Sequence, residues 1–146
     1  YVVIRLDDGI EPVSQNIVPN DVLLSVVIGY GNVSALVIEH IEYSYGNIGI
    51  GKSVTETVWW TGRFCQAFPG MFYRVSRKTV TGHICGNPKA GDGAVIQALI
   101  DRFTPHAKNR GKGTKKEPGY FFGFHGDIWQ AFAVGVYYAD NRGKMK

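Results

Sequence analysis

Apolar and polar positions along this chain alternate more often than they recur every three or four residues, and the alternation predicts strands. Val2 to Leu6 is a short β-branched run. Leu23 to Tyr30 is another, closed by Gly29-Tyr30-Gly31-Asn32. Val33 to Tyr45 is longer, and its alternation slips at Glu39-His40, the mark of a bulge. Thr55 to Trp60 and Arg63 to Phe68 follow, with Pro69-Gly70 as a turn signal. Phe72 to His83 places Tyr73, Val75, Arg77 and Thr79 on one face. Ala94 to Phe103 is apolar on both faces, as in a strand covered on both sides. Tyr120 to Phe124 and Ile128 to Tyr138 end the series, the latter with Phe132, Val134, Val136 and Tyr138 aligned. No stretch sustains an i, i+3, i+4, i+7 pattern capped at both ends. Roughly ten short strands with turns every ~8–12 residues read as a sandwich, barrel or prism. The polar, basic segment Thr104 to Pro118 reads as an exposed loop. Trp59 and Trp60 are neighbours on one run, so a strand would send them to opposite faces.

Composition supports this picture. Glycine accounts for 19 of 146 residues, well above the ~7% average, and has no strict period. A length of 146 residues suggests a single domain, 1–146, able to bury its own core. No apolar run reaches the ~18 residues of a membrane helix. The net charge of +4 is concentrated in Lys108, Arg110, Lys112, Lys115 and Lys116 and in the tail Arg142, Lys144 and Lys146. These are solvated loop charges or a surface for an anionic partner. Cys65 and Cys85 have no zinc spacing and form no disulfide framework. Whether they pair, and whether the setting is cytoplasmic or secreted, stays open. Asn32-Val33-Ser34 is a glycosylation sequon that matters only in a secreted chain.

The most specific stretch is Gly119 to Gln130, with Gly123-Phe124-His125-Gly126-Asp127-Ile128-Trp129-Gln130 at its centre. It resembles the last hairpin of the jacalin-related lectins, and Gly135-Val136-Tyr137 is similar to their closing strand. Val26 to Gly31, Phe68-Pro69-Gly70, Thr81-Gly82-His83, Asp92 to Leu99 and Gly111 to Thr114 match other family segments in order. The resemblance implies an all-β fold, a β-prism I of three four-stranded antiparallel Greek-key sheets. It also implies a metal-independent lectin for mannose- or glucose-type glycans. A neutral sugar is held by backbone N–H donors from a tight loop, a side-chain acceptor and an apolar wall, with glycines allowing close approach. On this reading the sugar-binding residues are Gly9, Gly126, Asp127, Ile128, Gln130, His83, Phe124 and His125, with Asn87 beside His83 in a specificity loop. A dimer or tetramer would raise the avidity of such weak sites.

The sequence departs from the family at two places. Gln130 stands where the family has an aspartate, so a charge-assisted contact is lost. The family's N-terminal glycine-rich turn falls on Asp7 to Pro12, where only Gly9 remains and Pro12 has no N–H to donate. The alternative is therefore a jacalin-like domain with a degenerate sugar site, acting on proteins or on anionic partners through the 108–116 cations. No G-x-S-x-G, H-E-x-x-H or P-loop pattern occurs, and Asp7 and Asp8 would diverge along a strand. His40, His83, His106 and His125 lack ligand spacing. The expectation is a binding protein, with no enzyme activity, cofactor or metal.

Overall fold

The computed structural model of the chain describes residues 1–42 and 51–145. The strand expected at Val33–Tyr45 runs partly beyond the described residues. Two compact units emerge: Val18–Arg77, and Tyr1–Ile17 with Lys78–Met145. The architecture is mixed α/β. Five α-helices accompany four strands arranged as two two-stranded sheets among the described residues. The all-β prism is therefore wrong, and the reason differs from element to element.

Strands β1 (Val2–Arg5) and β2 (Glu11–Gln15) belong to the other unit; in the unit Val18–Arg77 the order is α1 (Asn20–Gly29), β3 (Ala35–His40), α2 (Lys52–Ala67) and β4 (Met71–Ser76). β3 and β4 are parallel, with Ala35 opposite Met71 and His40 opposite Ser76. A parallel pair cannot be joined by a tight hairpin and needs a crossover, which α2 supplies. Its apolar signal is Trp60, Phe64 and Phe68, one residue per turn. The Trp60 and Phe64 rings stack 5.6 Å apart. Phe64, Phe68 and Val27 of α1 form the buried centre, with Leu23, Leu24, Leu36 and Ile38 packed around it. Burying one such phenylalanine contributes about 1.5–3 kcal/mol. Gly70 tightens the entry to β4, since a Cβ there would lie 2.9 Å from the Phe68 ring.

α1 was expected as a strand because Leu23–Tyr30 is apolar almost throughout. Pro19 before it and Asp21 in its first turn are helix-start signals that outweigh the apolar run. Trp59 and Trp60 thus lie on a helix, with Trp59 57% exposed. Cys65 and Cys85 are free thiols. Asn32 sits in an exposed turn.

The other unit opens with the hairpin β1 (Val2–Arg5) and β2 (Glu11–Gln15), antiparallel with a register shift between Val3 and Ile4. α3 (Arg77–Cys85), α4 (Asp92–Phe103) and α5 (Ile128–Asn141) follow. α5 reads equally well at two periods. Phe132, Val134 and Val136 satisfy a strand, while Ile128, Phe132 and Val136 satisfy a helix, and all are buried. Fourteen residues exceed an ordinary strand, and length favours the helix. Ile4 packs against α5 at Gly135, where a Cβ would approach its Cδ1 to 3.0 Å. The core is aromatic: Phe121, Phe124 and Phe132 are each at most 1% exposed. Phe121 lies 4.8 Å from Trp129 and 5.1 Å from Phe124, ring centre to ring centre.

Candidate nucleic-acid interface

The segment between α4 and α5 is a built structure. It starts at Thr104, whose Oγ1 donates to Ile100 O at 3.2 Å. A 3₁₀ turn follows at Lys108–Gly111, inside which Asn109 (φ 53°) and Arg110 (φ 54°) adopt left-handed backbone. His106 does the same at φ 68°. Left-handed conformations cost non-glycine residues roughly 1–2 kcal/mol each and persist only where the surroundings impose them. Several bonds impose them here. Lys112 N donates to Asn109 O (3.0 Å), Gly119 N to Lys112 O (3.0 Å), Phe121 N to Gly111 O (3.0 Å) and Thr114 N to Glu117 O (2.9 Å). Asn109 Nδ2 donates to Gly113 O at 3.0 Å, and Gly113 bridges Pro118. Gly111 and Gly119 are fitted so closely that a Cβ on Gly119 would strike Gly111 O. At the base the Phe103 and Tyr120 rings stack 5.3 Å apart at 11°. Tyr120 Oη donates to Ile10 O, tying the loop to the β1–β2 turn. Burial, and secondarily the Glu11 charge, pushes the Tyr120 phenol up to about 12, so it remains a donor at neutral pH. On this frame Lys108, Arg110, Lys115 and Lys116 are exposed and Lys112 half-buried, against the single carboxylate of Glu117.

Beside the loop base lies an ion cluster that joins three helices. Arg102 of α4 donates twice to Asp140 of α5, at 2.7 and 2.8 Å. His83 of α3 lies 2.7 Å from the same carboxylate through Nε2, and its ring meets Tyr137 edge-on at 5.3 Å. Arg102 chiefly, aided by His83 and opposed by burial, holds the Asp140 carboxyl at about 2. The Arg102 guanidinium also lies over the Phe103 ring at 5.0 Å. The pattern is a clamp that fixes where α4 releases the basic loop.

The residues expected to hold a sugar are dispersed. Phe124 and Ile128 are each 1% exposed and belong to the core. Asp127 is the N-cap of α5, and Gln130 lies in its first turn. Gly126 (φ 46°) sits in the preceding turn, and His125 Nδ1 lies 2.8 Å from Gly123 O. Gln15 Nε2 donates to Phe122 O at 2.9 Å, so this turn lies at the far end of β2. Gly9 is in the hairpin turn at the near end, with the five residues of β2 between them. His83 belongs to the clamp, and Asn87 caps its own turn by accepting from Lys89 N at 3.0 Å. The lectin site is not assembled. The turn residues were read correctly as turn-formers, but α5 begins where a hairpin strand was expected. Asp7 and Asp8 are exposed in the β1–β2 turn. Among the described residues no cluster of three His, Cys, Asp or Glu side chains could hold a metal. Among them, too, no helix is long and apolar enough to cross a membrane.

No family model matches the chain, and no curated protein matches it. Among solved structures it is similar to RuvC of Thermus thermophilus. The TM-score is 0.56 at 12% identity, over 99% of this chain and 89% of that one. The shared property is the fold. This likeness overturns the jacalin resemblance together with the lectin function and glycan partner that hung on it. The Arg102–Asp140–His83 clamp was missed because its members lie on three separate elements. The conformation of the basic loop was signalled only by Asn109 and the glycines at 111 and 113.

Proposed function

We propose that this chain is a nucleic-acid-binding domain that grips the phosphate backbone through the 104–118 loop. The observation that carries the reading is the pairing of five cations with a loop backbone held in costly conformations. Strain of this kind is retained where a surface must be pre-organised, and cations fixed in advance lose less entropy on meeting phosphates. Arg110 offers a planar fork suited to phosphate oxygens, and the lysines offer point charges. The likeness to RuvC supports a nucleic acid as the anionic partner. The reading is of binding rather than catalysis.

Fluorescence anisotropy with duplex, single-stranded and branched DNA tests it. Four to five phosphate contacts give a slope of log K against log salt of about −4. Affinity then falls roughly a hundredfold or more between 50 and 200 mM salt. Replacing Lys108, Arg110, Lys115 and Lys116 together by alanine should flatten the slope by about three and a half units. Binding that ignores both salt and these substitutions would overturn the reading. Cleavage of the same DNA with Mg²⁺ present would replace binding by hydrolysis as the activity.

A further inference from the structure

The unit Val18–Arg77 contains a cleft of about 830 Å³ that the basic loop does not involve. It opens between α2 and the β3–β4 pair, and its lining includes His40, Glu42, Thr61, Cys65, Phe72 and Arg74. Its volume falls within the ~300–1,000 Å³ range of small-molecule sites. Register explains how it arises. Ile38 pairs with Arg74 and His40 with Ser76, so the Arg74 side chain shares the sheet face on which α2 packs. Arg74 is exposed at the rim of the cleft, and among the described residues no carboxylate pairs with it, so its guanidinium is open to an anion. His40 Nδ1 is fully enclosed and has no hydrogen-bond partner among the described residues. A buried polar atom without a partner costs stability, a cost that turning the imidazole toward a ligand in the cleft would relieve.

From these features we propose that the cleft binds an organic phosphate of the nucleotide class, with Arg74 on the phosphate. The guanidinium supplies the bidentate donor that phosphate oxygens favour. His40 adds a second contact once its imidazole turns about Cβ–Cγ. Phe72 (45% exposed) and Val58 (42%) provide the apolar wall for a flat body. The Thr57 and Thr61 hydroxyls already donate to Ser53 O and Thr57 O at 2.9 Å, leaving their oxygens to accept. Glu42 likewise only accepts, and its charge repels phosphate. Ligand hydroxyls therefore lie toward Glu42 and the phosphate toward Arg74. Burial pushes the Cys65 thiol up, with Arg74 opposing, so Cys65 presents a neutral group that does not repel the anion.

The phosphate can be borne by a free nucleotide or by the 5′ end of a strand, and calorimetry with the full chain separates the two. One arm titrates adenosine monophosphate against adenosine; the other titrates a 5′-phosphorylated against a 5′-hydroxyl oligonucleotide. At least one phosphorylated probe should bind, its unphosphorylated counterpart should not, and Arg74→Gln should weaken binding about tenfold or more. Duplex binding through the 104–118 loop should survive Arg74→Gln, so failure here leaves the loop reading untouched. A second readout avoids any substitution: adenosine monophosphate should slow iodoacetamide labelling of Cys65 and leave Cys85 unchanged, followed by peptide mass. No heat and no protection of Cys65 at ~10 mM ligand, weaker than any useful site, would overturn the proposal. So would binding that is equal in Arg74→Gln.

Discussion

At the scale of single residues, Asp140 is the most informative position. Its carboxyl lies at about 2 in the fold, against an ordinary ~3.9. A depressed carboxyl stabilises the fold in full above the unfolded value, and the contribution is lost as pH falls through the folded one. Asp140→Asn should therefore lower the melting temperature at neutral pH, and the gap to wild type should close between about pH 4 and pH 2. Thermal melts at a series of pH values read this directly; a gap that persists at about pH 2 would mean the carboxylate is not the source. The same residue shows what one-residue reasoning could not reach. His83 and the 108–116 cations were singled out from sequence. Asp140 and Arg102 carry no signal of their own in the sequence, because only three helices meeting in space turn them into His83's partners.

At the scale of elements, Gly111 tests whether the basic loop is held rigid. Its φ is +72°, and a Cβ would approach Thr104 Oγ1 to 2.5 Å. Gly111→Ala should cost about 2 kcal/mol by chemical denaturation and weaken DNA binding with no change in charge. Unaltered affinity with lowered stability would show that the cations act without the frame. The elements also show where periodicity misleads. β1, β3 and the first half of Phe72–His83 were legible, because β-branched alternation ended at clear breaks. α1, α4 and α5 were not, because helices buried on wide faces are apolar at nearly every spacing. In α4 the buried positions are Val95, Leu99 and Ile100. That is a helical stripe, but Ile96, Ala98 and Phe103 fill the gaps and imitate a two-sided strand. The tell was chain length and the βαβ order, neither of which alternation weighs.

At the scale of the whole molecule, each unit has its own buried centre. Phe121 is 0% exposed and touches Phe124, Trp129 and Phe132. Phe121→Ala should cost about 3–5 kcal/mol in the unit that carries α3, α4 and α5. Hydrogen exchange should then accelerate in α5 more than in β3 and β4; uniform acceleration would argue for a single cooperative block. The three tryptophans divide between the units in a useful way. Trp59 and Trp60 stand on α2, with Trp59 open to water, whereas Trp129 is 4% exposed among phenylalanines. Indole emission from native protein is thus a blend of a red-shifted and a blue-shifted source. Acrylamide should strip the Trp59 light first, and in a Trp60→Phe variant the blue light that remains reports the melting of the unit that carries α5, with no label attached.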